Sequence, residues 1–283
     1  MTDFDARTTL ARPDLAASAL RDRFKADHYE DGQTLQVVQS TLPLFSAPRA
    51  DGAMQSEALF GETITVVEQS PEGWSWGQSD QDDYVGYLPS DGLSSALSEP
   101  THRVTSLRSF VYAETSIKRV PLTSLSFGSL VSVTGSDGIF SRLKQGGFII
   151  TQHLTPLDLI SHDPCAFALL FLNTPYLWGG RSGFGLDCSG LVQLALQACG
   201  FPCPRDSDMQ ERELGEKLAD DTDLRRNDLI FWKGHVGLML DETTLLHASG
   251  HHMLVVKEPL SEARARILAK TGHDITSCKR IAL

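Results

Sequence analysis

One cysteine, Cys188, stands where a polar, glycine-rich loop gives way to an apolar segment with helical spacing. The apolar residues between Leu191 and Leu196 predict a helix that has Cys188 in its first turn. Unpaired backbone N–H groups and the positive end of the helix dipole favour a thiolate over a thiol at that position. A cysteine is more often a buried packing residue. Here the natural N-cap Asp187 and the glycines of the preceding loop favour a nucleophile.

A nucleophile needs a base, and two histidines stand in a predicted β-hairpin. His235 opens the apolar run Val236–Leu240, polar residues 241–244 follow, and His247 lies in the next apolar run. An even turn would place the two histidines on opposite faces of the hairpin. An odd turn, Asp241–Thr243, would place them on one face as diagonal neighbours. We predict the odd turn.

These residue types suit hydrolysis of an amide through a thioester. Cys188 would attack the carbonyl, and His235 would protonate the leaving amine and then activate the water that hydrolyses the acyl-enzyme. His247 would orient His235 by accepting its second N–H. A neutral imidazole in this third position stabilises an imidazolium less than a carboxylate does. We therefore expect the thiolate to depend on the helix N-terminus.

Short motifs between residues 164 and 270 follow one another in an order and spacing that resemble the NlpC/P60 cysteine peptidases. They are Pro175-Tyr176-x-Trp178-Gly179-Gly180, Asp187-Cys188-Ser189-Gly190, Pro204-Arg205, Asp228-Leu229-Ile230-Phe231, His235-Val236-Gly237 and His247-Ala248. One departure is Asn227, where the family usually has glycine. The resemblance implies a papain-like α+β fold, with the nucleophile on a helix and the base on a sheet.

The resemblance also implies a substrate, the γ-D-glutamyl to diamino acid bond of murein peptides. In the members that act on these peptides, the residues matching Tyr176, Asp187 and Ser189 resemble a clamp for the free amino group of an N-terminal L-alanine. A carboxylate beside a thiol raises the pKa of the thiol, so Asp187 is interpreted as a helix cap, a clamp residue or both. Arg205 either holds a carboxylate or is an ordinary surface arginine.

Three-domain relatives complete this clamp with a Glu and a Tyr from their first SH3-like domain. The candidates are Glu57 or Glu62, and Tyr87 or Tyr84, and we select Glu57 and Tyr87. The tyrosines could equally be ordinary core or surface residues of a small barrel. An acidic residue that meets the substrate ammonium would restrict the enzyme to peptides with free N-termini. The enzyme would then be a dipeptidyl peptidase rather than a general endopeptidase.

The pattern of short alternating strands and turns before residue 160 predicts small all-β domains. We expect an arm with a short helix over Pro13–Lys25, two barrels that resemble bacterial SH3-like domains, and the catalytic domain. Their predicted bounds are 1–33, 34–96, 101–157 and 161–283. Phe60–Val66 aligns by eye with Phe127–Val133, which indicates a duplicated barrel.

Composition excludes several classes of function. The net charge is −11 and no cluster of Lys and Arg stands out, so nucleic acid is not an expected partner. The histidines have no metal-site spacing, and we expect no metal and no cofactor. No secretory signal or membrane span is recognisable, and the five cysteines do not have the spacing of a disulfide framework. We expect a cytoplasmic monomer that recycles cell-wall peptides.

Two other functions fit parts of the sequence. The same catalytic residues could serve an N-acetylmuramoyl-L-alanine amidase or an acyltransferase. An inert protein could use its SH3-like domains to bind murein peptides, although Cys188, His235 and His247 argue against inertness. The identity of the reaction products separates these alternatives.

Overall fold

The computed structural model describes residues 4–219 and 221–282, and the chain divides into two compact units, Met1–Leu159 and Ile160–Leu283. The first three residues of the predicted arm, and residues 220 and 283 of the predicted catalytic domain, lie outside the described residues. The finer division into an arm, two barrels and a catalytic domain stays a prediction. In the described part of the chain, every helix is too short or too polar to cross a lipid bilayer.

The N-terminal arm is mainly extended. Its elements are strand β1 (Leu15–Ala17), a 3-10 turn (Ser18–Leu20) and strand β2 (His28–Glu30), and the two strands pair in parallel. The helix predicted over Pro13–Lys25 is wrong. Leu15 is buried in an apolar cluster with Leu10, Val67 and Trp76. Packing against the next sheet therefore overrides the local helical spacing.

Seven antiparallel strands between residues 33 and 94 form one sheet in the spatial order β5-β4-β8-β7-β6-β3-β9. They are β3 (Gln33–Val37), β4 (Thr41–Phe45), β5 (Met54–Leu59), β6 (Thr63–Gln69), β7 (Trp74–Ser79), β8 (Val85–Pro89) and β9 (Leu93–Ser94). Leu42 and Leu44 on β4 and Ile64 on β6 are fully buried. Their alternation with less buried neighbours is that of strands with one face on a core.

The rest of the first unit is also all-β. Its strands are β10 (His102–Val104), β11 (Arg108–Tyr112), β12 (Thr123–Ser126), β13 (Leu130–Val131), β14 (Val133–Asp137), β15 (Phe140–Leu143), β16 (Phe148–Ile150) and β17 (Leu154–Pro156). They form two sheets, in the orders β12-β11-β16-β15-β14 and β13-β10-β17. Val104, Val111, Leu125 and Ile149 belong to one buried cluster that spans both sheets.

Two glycines occupy matching positions in these two halves of the first unit. The N–H of Gly61 donates to the carbonyl of Val37, and the N–H of Gly128 donates to the carbonyl of Val104, each at 2.9 Å. Gly61 has a φ of 84° and Gly128 a φ of 91°. This left-handed conformation favours glycine. The aligned Phe-Gly segments therefore adopt the same turn.

In the described residues of the second unit, three helices precede a six-stranded antiparallel sheet, ordered β20-β25-β21-β22-β23-β24, and a fourth helix lies between its last two strands in the chain. The helices are α1 (Pro164–Leu169), α2 (Cys188–Ala198), α3 (Ser207–Glu213) and α4 (Leu260–Thr271). The strands are β18 (Arg181–Ser182), β19 (Gly185–Leu186), β20 (Glu216–Lys217), β21 (Leu229–Trp232), β22 (His235–Met239), β23 (Thr244–Ser249), β24 (Leu254–Pro259) and β25 (Ser277–Arg280). Strands β18 and β19 form a separate hairpin.

Helix α2 is buried on nearly every side, as expected for an apolar helix in the centre of a domain. It packs against α1 on one side and against β22 and β23 on the other. Leu191, Val192 and Ala195 have no exposed surface. Helix α2 is therefore held rigidly over the strands that carry the two histidines.

Candidate active site

Cys188 is the first residue of α2 and is only 7% exposed. The backbone N–H groups of Val236 and Ser189 act on its sulfur and lower the pKa of the thiol. Val236 directly follows His235 on β22. The N-terminus of the helix therefore brings the cysteine to the strand that carries the predicted base.

The Cys188 thiol is harder to ionise than an exposed one. Burial raises the pKa of Cys188 to about 12, and the neighbouring Asp187 carboxylate acts in the same direction. The N–H of Val236 and the guanidinium of Arg205 oppose this shift. The expected lowering of the pKa by the helix N-terminus is therefore outweighed, because the thiol is buried and a carboxylate occupies the N-cap. A thiolate at Cys188 needs a base that takes its proton.

The predicted odd turn between the two histidine strands is confirmed. Met239 pairs with Leu245, which leaves Asp241–Thr243 as the three central residues of the turn after the Leu240–Thr244 backbone hydrogen bond. With this register, His235 and His247 share one face of the hairpin. Nε2 of His235 lies 2.7 Å from Nδ1 of His247. The two imidazoles are therefore directly hydrogen-bonded.

A carboxylate that the sequence analysis missed extends this pair. Nε2 of His247 lies 2.7 Å from Oε1 of Glu258 on β24. Arg266 on α4 donates to both oxygens of Glu258, at 2.7 Å to Oε2 and through a short bond to Oε1. Val256 is the residue paired with His247, so Glu258 lies on the same face, one diagonal step away. The register between β23 and β24 could have identified Glu258 from the sequence. Using it would have required predicting how β24 pairs with β23.

Burial keeps both histidines neutral at ordinary pH. It lowers the pKa of His235 to about 3, and His247 and Arg266 act in the same direction. Burial also lowers the pKa of His247, although the hydrogen bond to Glu258 opposes it. Burial would raise the pKa of Glu258, but the hydrogen bonds from His247 and Arg266 outweigh it and lower that pKa. Glu258 is therefore an ionised carboxylate beside a neutral imidazole.

Asp187 is joined to Arg205 in a buried ion pair. Arg205 donates to Oδ1 of Asp187 at 3.0 Å, to Oδ2 at 2.8 Å and to the hydroxyl of Ser189 at 2.9 Å. The backbone N–H groups of Gly190 and Gly179 donate to Oδ1 and Oδ2, at 2.8 and 2.9 Å. Arg205 is 1% exposed, so it is the carboxylate-binding arginine and not a surface residue.

These contacts define how Asp187 can act. It caps α2 as predicted, since Gly190 is the third residue of that helix. A carboxylate has about four lone-pair sites, and the hydroxyl of Ser189 also donates to Oδ1 at 3.2 Å. The clamp role of Asp187 and Ser189 stays a prediction, and it requires one of these donors to yield to the substrate.

Tyr176 is held at the rim of the same region by a short edge interaction with β24. Its N–H donates to the carbonyl of Met253 at 2.9 Å, and Pro175 forms a bridge with Leu254. Burial raises the pKa of the Tyr176 hydroxyl, and the charges of Cys188 and Asp187 add to the effect. Tyr176 thus remains a protonated hydroxyl near the nucleophile, able to donate or accept a hydrogen bond.

The clamp candidates from the first unit occupy different environments there. Glu57 on β5 and Glu62 are buried, and Glu62 accepts a hydrogen bond from the N–H of Leu59 at 2.8 Å. Tyr84 is 3% exposed, in keeping with a core residue of the sheet. Tyr87 on β8 is half-buried, and its hydroxyl accepts from Arg12 at 2.9 Å. Participation of Glu57 and Tyr87 in substrate binding stays a prediction.

Asn227 adopts a φ of 72°, the left-handed conformation that favours glycine and that Asn tolerates better than most residues. Its Oδ1 accepts a hydrogen bond from the N–H of Cys165 at 3.0 Å. Replacement of the family's usual glycine therefore preserves the turn before Asp228. It also connects that turn to α1.

The remaining histidines near the site do not form a metal centre. His251 and His252 stack edge to face with centroids 4.8 Å apart, and Nε2 of His252 lies 3.7 Å from Oε2 of Glu258. Among the described residues, no three His, Cys, Asp or Glu side chains are grouped so that they could hold a metal ion.

A buried cysteine at a helix N-terminus, against a strand with a hydrogen-bonded histidine pair, defines the class of the protein as a cysteine peptidase. Residues 173–268 match the NlpC/P60 family. Residues 44–93 match the bacterial dipeptidyl-peptidase Sh3 domain. The chain therefore contains an NlpC/P60 domain, and a bacterial SH3 domain precedes it in the sequence.

Similar proteins include Dipeptidyl-peptidase 6 of Lysinibacillus sphaericus, which is 27% identical over 237 residues, 75% of this chain and 86% of that protein. The Gamma-D-glutamyl-L-lysine dipeptidyl-peptidase of Bacillus subtilis (strain 168) is 28% identical over 220 residues, 70% of this chain and 73% of that protein. Among solved structures, an NlpC/P60 family protein from Bacillus cereus ATCC 10987 superposes with a TM-score of 0.74 at 21% identity, over 88% of this chain and 100% of that chain. The fold is therefore shared with that protein over most of this chain.

Proposed function

We propose that this peptidase hydrolyses the γ-D-glutamyl to diamino acid bond of short cell-wall peptides that carry a free N-terminal L-alanine. The observation that carries the proposal is the contact of Cys188 with the strand of the His235–His247 pair. The dipeptidyl-peptidase names of the relatives support the substrate class. The proposed catalytic residues are Cys188, His235 and His247.

The proposed reaction begins with the neutral thiol and the neutral imidazole. His235 takes the proton of Cys188 as the sulfur attacks the γ-carbonyl of D-glutamate, and it returns that proton to the leaving amine. Water, deprotonated by His235, then hydrolyses the thioester. The backbone N–H of Cys188, at the first position of α2, is suited to stabilise the oxyanion, because an N–H at this position has no acceptor within the helix.

The selection of a free N-terminus is assigned to Tyr176, Asp187 and Ser189, together with Glu57 and Tyr87 of the SH3 region. Support comes from the position of Tyr176 close enough to Cys188 and Asp187 for their charges to affect its pKa. A substrate ammonium would compete with Arg205 for Asp187, so this selection calls for a rearrangement of the Asp187 contacts on binding. Peptides with a free L-alanine are those already cut from the glycan, which supports a role in recycling.

We also infer that residues 101–157 form a second SH3-like domain by duplication of the first. The N–H of Val37 donates to the carbonyl of Glu62, and the N–H of Val104 donates to the carbonyl of Ser129, both at 2.9 Å. The strand orders correspond as well, once β13 and β14 together are matched to β6. The proposed domains are therefore 1–33, 34–96, 101–157 and 161–283. The last of them is the proposed papain-like catalytic domain. We also propose that the protein is a cytoplasmic monomer.

The decisive experiment uses L-Ala-γ-D-Glu-diaminopimelate with a free or an acetylated N-terminus, and mass spectrometry of the products. We expect release of the dipeptide L-Ala-D-Glu from the free peptide and little cleavage of the acetylated one. Equal cleavage of both would contradict the selection of free N-termini. Cleavage of the muramoyl to L-alanine bond in a muramoyl peptide would identify an amidase instead. The C188A variant should fold and be inactive. If the wild-type protein cleaves neither kind of bond, it is better described as an inert binding protein.

A further inference from the structure

Beyond the cysteine and the two histidines, a largely buried carboxylate, that of Glu258, adjoins the catalytic residues. Its side chain is 10% exposed, and that of His247 is 1% exposed. The distances of 2.7 Å from His235 to His247 and 2.7 Å from His247 to Glu258 describe a continuous line of hydrogen bonds. The mechanism proposed above uses His235 and His247 but gives Glu258 no role.

The chemistry of these groups determines the direction of each hydrogen bond. An ionised carboxylate can only accept, so Glu258 requires a proton on Nε2 of His247. A neutral imidazole carries one N–H, so Nδ1 of His247 is an acceptor and Nε2 of His235 must donate to it. Nδ1 of His235 is then unprotonated. The orientation of every proton in the line follows from the charge of one carboxylate.

Arg266 fixes that carboxylate in place. It donates to both oxygens of Glu258 from helix α4, in the fork geometry that suits a carboxylate. Two other ionisable groups lie nearby: Nε2 of His252 is 3.7 Å from Oε2 of Glu258, and the charge of Glu262 acts on Arg266. The ion pair keeps Glu258 ionised and turned towards His247.

We propose that Glu258, held by Arg266, is a positioning residue that fixes the tautomers of His247 and His235 so that Nδ1 of His235 is free to take the proton of Cys188. The inference rests on the proposed function. During thiol attack, one proton moves from the sulfur of Cys188 to Nδ1 of His235, and the resulting imidazolium keeps its Nε2–H bond to His247. No proton moves to Glu258. Its negative charge stabilises the imidazolium through His247.

Two substitutions separate this role from simple structural support. In E258Q the amide oxygen is best directed at the cationic Arg266, which turns the amide NH₂ towards His247 and forces the opposite tautomers on both histidines. Nδ1 of His235 would then carry a proton and could not act as a base. In E258A water can occupy the space and accept from His247. E258Q should therefore lose about a hundredfold or more in kcat, as in other triads with a wrong tautomer, and E258A about tenfold.

The closing experiment measures kcat and KM for E258Q, E258A and R264Q with L-Ala-γ-D-Glu-diaminopimelate, and the ¹⁵N spectra of histidine-labelled wild type and variants without substrate at pH 8. R264Q is the matched control. Arg264 lies on α4, as Arg266 does, but its two-bond ion pair is with Asp274 and not with Glu258. R264Q should keep the wild-type kcat. We expect KM within about twofold of wild type in all variants, since the positioning role affects the chemical step.

The spectra should show His247 protonated at Nε2 in the wild type and at Nδ1 in E258Q. The proposal is overturned if E258A is less active than E258Q, which is the order of a packing role, or if the His247 tautomer is the same in wild type and E258Q. If the wild-type protein does not cleave the peptide at all, the proposed function fails. The spectra then still decide the role of Glu258 on their own.

Discussion

Arg205 donates one hydrogen bond to each carboxylate oxygen of Asp187, at 3.0 and 2.8 Å, in an ion pair that is almost completely shielded from water. The same guanidinium reaches the hydroxyl of Ser189 and the carbonyl of Gly180. It therefore connects the glycine-rich loop to the residues on both sides of Cys188. The pair organises the N-terminus of α2, and the nucleophile depends on it.

Replacing Arg205 by lysine should destabilise the second unit by about 3 kcal/mol, because several of the buried oxygens that accept hydrogen bonds from the guanidinium would lose their donor. Lysine keeps the charge but cannot reproduce the fork of bonds that arginine makes. The measurement is the urea dependence of hydrogen exchange in α2. R212K is the control, since Arg212 pairs with Glu213 on the surface, with 57% and 50% of the side chains exposed. Equal effects of the two substitutions would contradict the structural importance of the buried pair.

Replacing Asp187 by asparagine should lower the pKa of Cys188. The carboxylate is the largest cause of the raised pKa after burial, and asparagine keeps the N-cap hydrogen bond. The uncompensated charge of Arg205 would add to the lowering. The pH dependence of Cys188 alkylation by iodoacetamide, followed by peptide mass spectrometry, measures this change. D163N, which removes an exposed carboxylate paired with Arg226, should leave the profile unchanged. A profile displaced to higher pH in D187N would refute the prediction.

Acid should destabilise the second unit from below about pH 6.5, where an unfolded histidine begins to bind a proton. Burial lowers the pKa of His235 to about 3 in the folded protein. Between these values the unfolded chain binds more protons than the native one, so the free energy of unfolding decreases as the pH decreases. Glu258, whose pKa is also lowered on folding, contributes in the same direction at more acidic pH. Urea midpoints between pH 8 and 4 should decrease less steeply for H235N than for the wild type.

The parts of the site that local sequence determines could be predicted, and those that depend on long-range packing could not. The His235–His247 contact follows from a single hairpin register, and the N-cap role of Asp187 follows from its place one residue before a helix. Arg205 is brought to Asp187 by tertiary packing, and nothing beside it in the sequence identifies its partner.

The N-terminal arm and Glu258 also depend on contacts that local sequence does not determine. Apolar spacing after Pro13 is typical of a helix, but Leu15 is buried by contacts with Val67 and Trp76, far away in the sequence. The position of Glu258 beside His247 depends on the pairing of β24 with β23 and on Arg266 of the following helix. Charged residues at strand ends are usually solvated, so the sequence alone does not distinguish Glu258 from a surface residue.

Replacing Gly237 by alanine should reduce kcat by displacing His247, the proposed third catalytic residue. Gly237 faces His247 across the hairpin, and an added Cβ would lie 2.8 Å from Cδ1 of Leu245 and 3.0 Å from Cβ of His247. Overpacking of this kind costs about 1–3 kcal/mol, and its relief would displace His247 from His235. The matched control is G135A, because an added Cβ at Gly135 meets nothing within 4 Å. G237A should have a lower rate of peptide hydrolysis and a lower urea midpoint of unfolding than the wild type. Both quantities should be unchanged in G135A. A fully active G237A would show that the 2.7 Å contact between the imidazoles tolerates displacement and that catalysis does not require its geometry.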